Sequence, residues 1–497
     1  MMINPNPRAM SLIQPVVPLF YSILKNARIQ MKFFDTTFYD VSTKYTNTDK
    51  YKQSILGVKQ YDDKYSKFSS FQKSDENLYS DWRKIIEEYK PDFLLVSAME
   101  STITFARELM AHVRDLKTIN ILGGVFPTYS PEDSIKYPEV DIVCVGEAEK
   151  TLVPLLKNLY SKKSVTDIPG IWSKNGTSIL KPKLKVSHIC SLDDNPIFDA
   201  SIIDDSRFYR AMAGNIYKMF PVETHRGCNN KCTFCNSPLQ NKMYKEEVGQ
   251  NYFRKKSISK VMEDIKYMVE EKGAEYFFFW ADNFLTYSKK EIDEFCEMYS
   301  IYKKPFYAQS YPVSIDEYKI KKMVEVGLHR VGLGIEHGNE KFRAEIINRP
   351  YSNQVAIDKI SILRKYGIQY SCNNIVGFPL ETPELHKDTI ELNRALKAHT
   401  ASCSIFTPFR GTPLRELCIK NNYLEDANCI APTNSESSIL NMPQFTKDQI
   451  LGKARTFVLY VNFPKSRWKN IEKAEKITPE GNLIWEELKQ EYKEKYQ

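Results

Sequence analysis

The sequence contains no run approaching the roughly 18 consecutive apolar residues that a spanning helix needs, so no membrane span is expected. Pro15 and Pro18 interrupt the early apolar stretches and no small-residue cleavage site follows, which argues against a secretory signal and for a cytoplasmic protein. Cysteine is scarce: 10 in 497 residues are too few for a disulfide scaffold. Charge of one sign is not concentrated either. The 70 basic and 62 acidic residues leave a net charge of +8 with no long basic block and no aromatic-basic repeat, so nucleic acid is not indicated as a partner. A GxGxxG turn, the usual mark of an ordinary nucleotide site, is also missing. What is there suffices for buried cores, with 42% hydrophobic residues, and the length calls for two or three domains.

Residues 1–160 alternate short apolar strands with helical stretches, the pattern of a doubly wound, Rossmann-like α/β domain. Strands are expected at 1–4, 30–34, 93–97, 119–122 and 142–145, with an amphipathic helix over 103–116. A Tyr-, Lys-, Ser- and Asp-rich stretch from about 42 to 87 reads as an insertion on one edge. Residues 161–215, punctuated by Pro169-Gly170 and Asn175-Gly176, read as an irregular linker. Six further strands are expected at 219–224, 276–280, 306–310, 330–335, 370–376 and 403–406. Stretches with apolar residues three and four apart separate them. That order predicts a partial (β/α)6 barrel over 216–440, with its chemistry at the carboxyl ends of the strands. Residues 441–497 turn helical and charged and are expected to form a C-terminal cap.

Three of the cysteines crowd together directly after the first barrel strand, in His225-Arg226-Gly227-Cys228-Asn229-Asn230-Lys231-Cys232-Thr233-Phe234-Cys235. Thiolates four and then three positions apart can wrap one face of a cuboidal 4Fe-4S cluster and leave the fourth iron without a protein ligand. A zinc site would need a fourth donor, which His225 offers, although structural zinc favours two separated ligand pairs and no second pair exists here. Buried structural cysteines are the third reading.

The CxxxCxxC spacing, with Phe234 before its last cysteine, resembles the radical S-adenosylmethionine (radical SAM) superfamily. The resemblance implies that Cys228, Cys232 and Cys235 hold the cluster and that the open iron binds S-adenosylmethionine (SAM). Trp280-Ala281-Asp282-Asn283 departs from the commoner Gly-Gly-Glu form at the second strand end, but places Asp282 where the family receives the methionyl amine. Gln309, at the third strand end, would face the ribose or carboxylate of SAM. Val331-Gly332-Leu333-Gly334-Ile335-Glu336 resembles the fourth-strand passage past the cofactor, with Glu336 as a polar contact. In Val376-Gly377-Phe378-Pro379 the backbone near Gly377 would meet adenine.

In the first domain, Val96-Ser97-Ala98-Met99, Leu122-Gly123-Gly124-Val125 and Val145-Gly146-Glu147-Ala148-Glu149 put small residues at successive strand ends, a shelf at the binding edge of an open sheet. The pattern resembles the cobalamin-binding domain that precedes the barrel in a branch of radical SAM enzymes. It implies cobalamin contacts from Ser97, Met99, Gly123, Gly124, Gly146 and Glu147. The DxHxxG element is missing, since Thr37 rather than histidine follows Asp35 two residues on, so no imidazole from this site reaches cobalt. Taken whole, the resemblance implies a cobalamin-dependent radical SAM methyltransferase acting on a small molecule. It would use an external one-electron reductant of flavodoxin or ferredoxin type. A non-methylating radical reaction (ring formation, ring contraction or oxidation) and a non-catalytic iron-sulfur sensor are the rival readings. Methylthio-transfer is disfavoured because no second cysteine triplet precedes the barrel.

Overall fold

The computed structural model describes residues 1–6, 13–41, 73–430 and 437–496. They form two compact units, one from described residues within Met1–Asp49, Lys64–Arg210 and Leu239–Ser257, the other from those within Ala211–Pro238 and Ile258–Gln497.

The first unit is built on a seven-stranded sheet of β1 (Met2–Asn4), β2 (Phe33–Asp35), β3 (Phe93–Ser97), β4 (Ile119–Gly123), β5 (Ile142–Cys144), β6 (Ile171–Asn175) and β7 (Ser178–Leu180), in the order β2-β1-β3-β4-β5-β6-β7. The first five strands run parallel, while β6 and β7 add antiparallel at the far edge. This hairpin lies inside the stretch read from sequence as an irregular linker. Its turn, Asn175-Gly176, was visible, but the flanking strands are short and β7 is mostly exposed, so no apolar alternation marked them.

The expected insertion also needs correcting. Residues 42–72 of it lie outside the described residues, but its last part is a helix over Asp75–Tyr89 that belongs to the unit. Leu78, Trp82 and Ile86, four apart on one face of that helix, are all buried, and the Trp82 indole donates to Leu109 O at 2.9 Å. The surrounding Asp, Glu and Lys masked that spacing in the sequence.

The second unit carries a second seven-stranded sheet. Its strands are β8 (Tyr209–Met212), β9 (Asn215–Glu223), β10 (Tyr276–Trp280), β11 (Phe306–Ser310), β12 (Leu328–Glu336), β13 (Gln369–Val376) and β14 (Thr400–Ile405), ordered as numbered. From β9 to β14 every pairing is parallel, the arrangement of a curled half-barrel. Alternation sorts the side chains. In β10, Phe277 and Phe279 are fully buried under the helices with Phe284, Phe295, Tyr299 and Phe306, and each such ring stabilises the fold by roughly 1.5–3 kcal/mol. Phe278 and Trp280 take the other face, where Phe278 stacks on Tyr307 at 4.6 Å.

The crossover helices begin on side-chain caps. Ser288 makes a reciprocal capping box with Glu291, and Thr382 and Thr412 cap helices that carry proline in their first turn. The last helices, Lys447–Asn462, Trp468–Glu475 and Pro479–Tyr496, form the expected helical C-terminal cap, and it is built into the barrel. Ile450, Phe457, Leu459 and Ile471 share one hydrophobic core with Val376, Phe378, Phe406 and Leu414 of the barrel. No helix among the described residues is long and apolar enough to cross a membrane.

Candidate functional site

The cysteine loop is pinned on both flanks before any cofactor is considered. Thr233 N–H and Oγ1 donate to Ile347 O and Ile346 O at 3.2 and 2.5 Å, Asn348 Nδ2 donates to Lys231 O at 2.8 Å, and Leu414 N–H donates to Thr233 O at 3.3 Å. Each sulfur has a donor beside it. Cys228 Sγ accepts from the backbone N–H and the amide of Asn230, both at 3.4 Å, Cys235 Sγ from Ser237 N–H at 3.4 Å, and Cys232 Sγ from Arg349 Nε at 3.1 Å. Such donors stabilise sulfur as thiolate and tune a bound cluster. Burial pushes the Cys228 thiol up and the Cys235 thiol up to about 12, so the sulfurs suit a metal centre that deprotonates them better than free thiolate chemistry.

The three sulfurs open on one cavity of about 220 Å³, at the carboxyl ends of the barrel strands. Phe234, Asp282, Gln309 and Glu336 line it with them, so the structure gathers these sequence-predicted residues around a single space. Asp282 Oδ2 accepts from Ser237 Oγ at 2.7 Å. Glu336 ends β12 at a register shift with φ of 69°, a left-handed conformation that turns the chain beside the sulfurs. Burial raises its carboxyl pKa against the opposing pull of Arg349, whose Nη1 lies 3.4 Å away.

Gly377 does not line this cavity. Its φ is 84°, and a side chain there would meet Ile450 at 3.0 Å, so the glycine serves the turn and the packing of the C-terminal helix. His225 is likewise turned away. Its Nδ1 bonds Thr224 Oγ1 at 2.9 Å, its ring packs on Tyr287 at 4.2 Å, and it does not line the cavity on which the three sulfurs open.

Arg349 is the residue the sequence reading missed. It is 9% exposed, donates to Cys232 Sγ, donates through Nη1 to Gly334 O at 2.5 Å, and faces the Tyr311 ring at 4.8 Å. Burial works against its charge, but Glu336 and Cys232 outweigh burial and keep the guanidinium protonated. It sits in a turn after a short helix, with no spacing to the cysteines that a sequence pattern could show.

At the carboxyl edge of the first sheet, the glycines divide into two kinds. Gly124 has φ of 102°, and a Cβ there would lie 2.5 Å from Ala98 O, so only glycine permits this turn. Gly146 leaves room for Tyr244, whose hydroxyl would be 2.4 Å from an added Cβ and accepts the Glu147 N–H at 2.7 Å. Glu147 itself is paired with Arg254 at 2.7 Å. Gly146 and Glu147 are thus occupied within the protein. The rest of the edge is less satisfied: Met99 and Val125 are 42% and 37% exposed, and the buried Asn4 Oδ1, at the end of β1, has no hydrogen-bond partner among the described residues. Exposed apolar side chains and an orphaned buried amide oxygen at the strand ends of one sheet fit a large ligand that is part apolar and part polar.

The Radical SAM superfamily model matches residues 222–392 and the B12 binding domain model matches residues 71–156. An uncharacterised methyltransferase of Pyrococcus horikoshii is 28% identical over 406 residues, 80% of this chain and 84% of its own. The cytidylyl-2-hydroxyethylphosphonate methyltransferase of Streptomyces wedmorensis is 23% identical over 401 residues, 72% of each chain. The fold is also that of a solved radical SAM methyltransferase of Kitasatospora setae, TsrM, with cobalamin and a 4Fe-4S cluster bound. The TM-score is 0.62 at 15% identity, over 94% of this chain and 82% of that one.

Proposed function

We propose that the chain, which matches the radical SAM model over 222–392 and the B12 binding domain model over 71–156, is a cobalamin-dependent radical SAM methyltransferase acting on a small molecule. One observation carries the reading furthest. Cys228, Cys232 and Cys235 share a cavity with the polar strand ends Asp282, Gln309 and Glu336, in a chain whose other unit keeps a ligand-ready sheet edge.

Cys228, Cys232 and Cys235 would hold the 4Fe-4S cluster, and Ser97, Met99, Gly123 and Gly124, with Asn4 and Val125, would hold cobalamin. When bound, these groups supply the electron that cleaves SAM to a 5'-deoxyadenosyl radical and the cobalt centre for methyl transfer. The chain's own part is binding, orientation and shielding. Asp282 and Glu336 offer carboxylates to the methionyl amine, Gln309 offers an amide to the ribose or carboxylate, and Phe234 shields the loop from water. Arg349 fixes Cys232 and holds Glu336 in its turn. An external one-electron reductant of flavodoxin or ferredoxin type completes the scheme.

Anaerobic reconstitution with iron, sulfide and hydroxocobalamin, followed by dithionite and methyl-labelled SAM, tests the reading. 5'-Deoxyadenosine and a labelled small-molecule product are expected. Substituting all three cysteines by alanine should remove the iron-sulfur absorption and the 5'-deoxyadenosine while a bound corrin spectrum remains. Accumulation of 5'-deoxyadenosine with no labelled product across a broad substrate panel would favour a non-methylating radical reaction, and its absence would leave an iron-sulfur sensor.

A further inference from the structure

Outside the lining of the cavity lies a fully buried group of ionisable side chains: His337, Glu381 and His386, all 0% exposed. Glu381 Oε2 accepts the backbone N–H groups of Gly377 and Phe378 at 2.6 and 2.9 Å. Its Oε1 lies 3.2 Å from His337 Nε2 and 3.3 Å from His386 Nδ1. Because His337 Nδ1 takes the Asn339 N–H at 3.1 Å, the ring proton sits on Nε2 and points at the carboxylate. Burying an ionised carboxylate costs several kcal/mol unless it is fully bonded, so a chain that buries one here needs what its bonds hold in place.

Two chains of contact lead from Glu381 back to the cysteine loop. On one side it fixes Phe378, whose ring packs on Phe234 at 5.9 Å, inside the cysteine motif. On the other it fixes His337, the neighbour of Glu336, whose left-handed turn sets its carboxylate against Arg349 and, through Arg349, against Cys232. Gln444 donates to the Glu381 carbonyl at 3.2 Å and Ile450 packs under Gly377, so the C-terminal segment supports the same point.

We propose that Glu381 is a positioning residue for SAM binding: one carboxylate ties the exits of β12 and β13 together and thereby sets the two walls that flank the cluster loop. The proposal rests on the radical SAM reading of the cavity. It separates from a purely structural role in what it changes. A residue that only holds the core together lowers the melting temperature and leaves the affinity of the folded fraction for SAM intact, whereas loss of a positioning residue raises the KM for SAM in enzyme that is folded and loaded.

The test compares reconstituted wild type, Glu381→Gln and His337→Phe, the last keeping a ring while removing the donor. For each, 5'-deoxyadenosine formation is measured against SAM concentration under dithionite, alongside iron content and the EPR spectrum of the reduced cluster with and without SAM. Expected are unchanged iron content, a KM for SAM raised about tenfold in Glu381→Gln and in the same direction in His337→Phe, turnover at saturation within about threefold of wild type, and a smaller EPR change on adding SAM. If Glu381→Gln fails to fold, His337→Phe carries the test. An unchanged KM in the folded variants overturns the proposal, even if the melting temperature falls. A wild type that makes no 5'-deoxyadenosine instead overturns the underlying reading, and the proposal with it.

Discussion

At the guanidinium of Arg349 the Cys232 sulfur, the Gly334 carbonyl and the Glu336 carboxylate meet, in a place only 9% exposed. Breaking a buried pair by removing one partner is worse than never having built it, because the other charge is left alone in low dielectric. Arg349→Met should therefore destabilise the apoprotein by about 3 kcal/mol in urea titration. The double variant Arg349→Met with Glu336→Gln should recover about half of that loss. A double variant no more stable than the single one would show that the packing on Tyr311, not the charge, was lost. Glu381 gives a pH-dependent counterpart. Burial pushes its carboxyl up, but the bonds from His337 and His386 outweigh burial and hold it down at about 2. Its folded pKa lies below the unfolded value of about 4.3, so its contribution is complete above about pH 5 and is lost as pH falls toward 2. Glu381→Gln lacks this term, and the stability gap between it and wild type should close over that acid range in pH-dependent thermal melts.

At the scale of elements, the first sheet edge turns on Gly124. A side chain there meets backbone atoms of Ala98 at 2.5 and 2.7 Å, and backbone cannot rotate away as a side chain can. Gly124→Ala should lower the melting temperature and weaken cobalamin retention on gel filtration, whereas Gly123→Ala, whose Cβ would meet nothing closer than Cys144 at 3.8 Å, should leave the melting temperature near wild type. Much at this scale was legible beforehand. The strands 93–97, 276–280 and 306–310 fall where apolar runs and turn residues put them, because each buries at least one face under helices and the apolar residues of that face mark the strand. The hairpin of β6 and β7 was not legible, being half exposed. Among site residues, Asp282, Gln309 and Glu336 could be read because the resemblance to the radical SAM family puts polar contacts at or just past the barrel strand ends, and these residues stand there. Arg349 could not, because a turn has no period, and Glu147 looked like a ligand contact until Arg254, distant in sequence, was found beside it.

At the scale of the molecule, the C-terminal helices decide whether the barrel is a complete folding unit. The sequence reading assigned them to a helical C-terminal cap from their charge and helical periodicity. Their buried faces show how far that cap is built into the barrel. Ile450, Phe457 and Leu459 are fully buried in the core that contains Val376 and Phe378, and each contributes roughly 1.5–3 kcal/mol. Losing the helix Lys447–Asn462 would thus remove an amount comparable to the whole stability of a domain, about 5–15 kcal/mol. It would also strip Ile450 from Gly377 and so loosen the turn that Glu381 holds. The final helix, Pro479–Tyr496, adds far less, with Leu488 and Tyr492 as its large buried side chains. Truncation should therefore be graded. A chain ending after Thr478 should stay folded and reconstitute its cluster with a lowered melting temperature, while one ending after Thr446 should lose cooperative unfolding by circular dichroism and fail to reconstitute the iron-sulfur absorption. A folded, cluster-loading protein without residues 447–497 would mean that the shared core is dispensable and that the helices are an accessory after all.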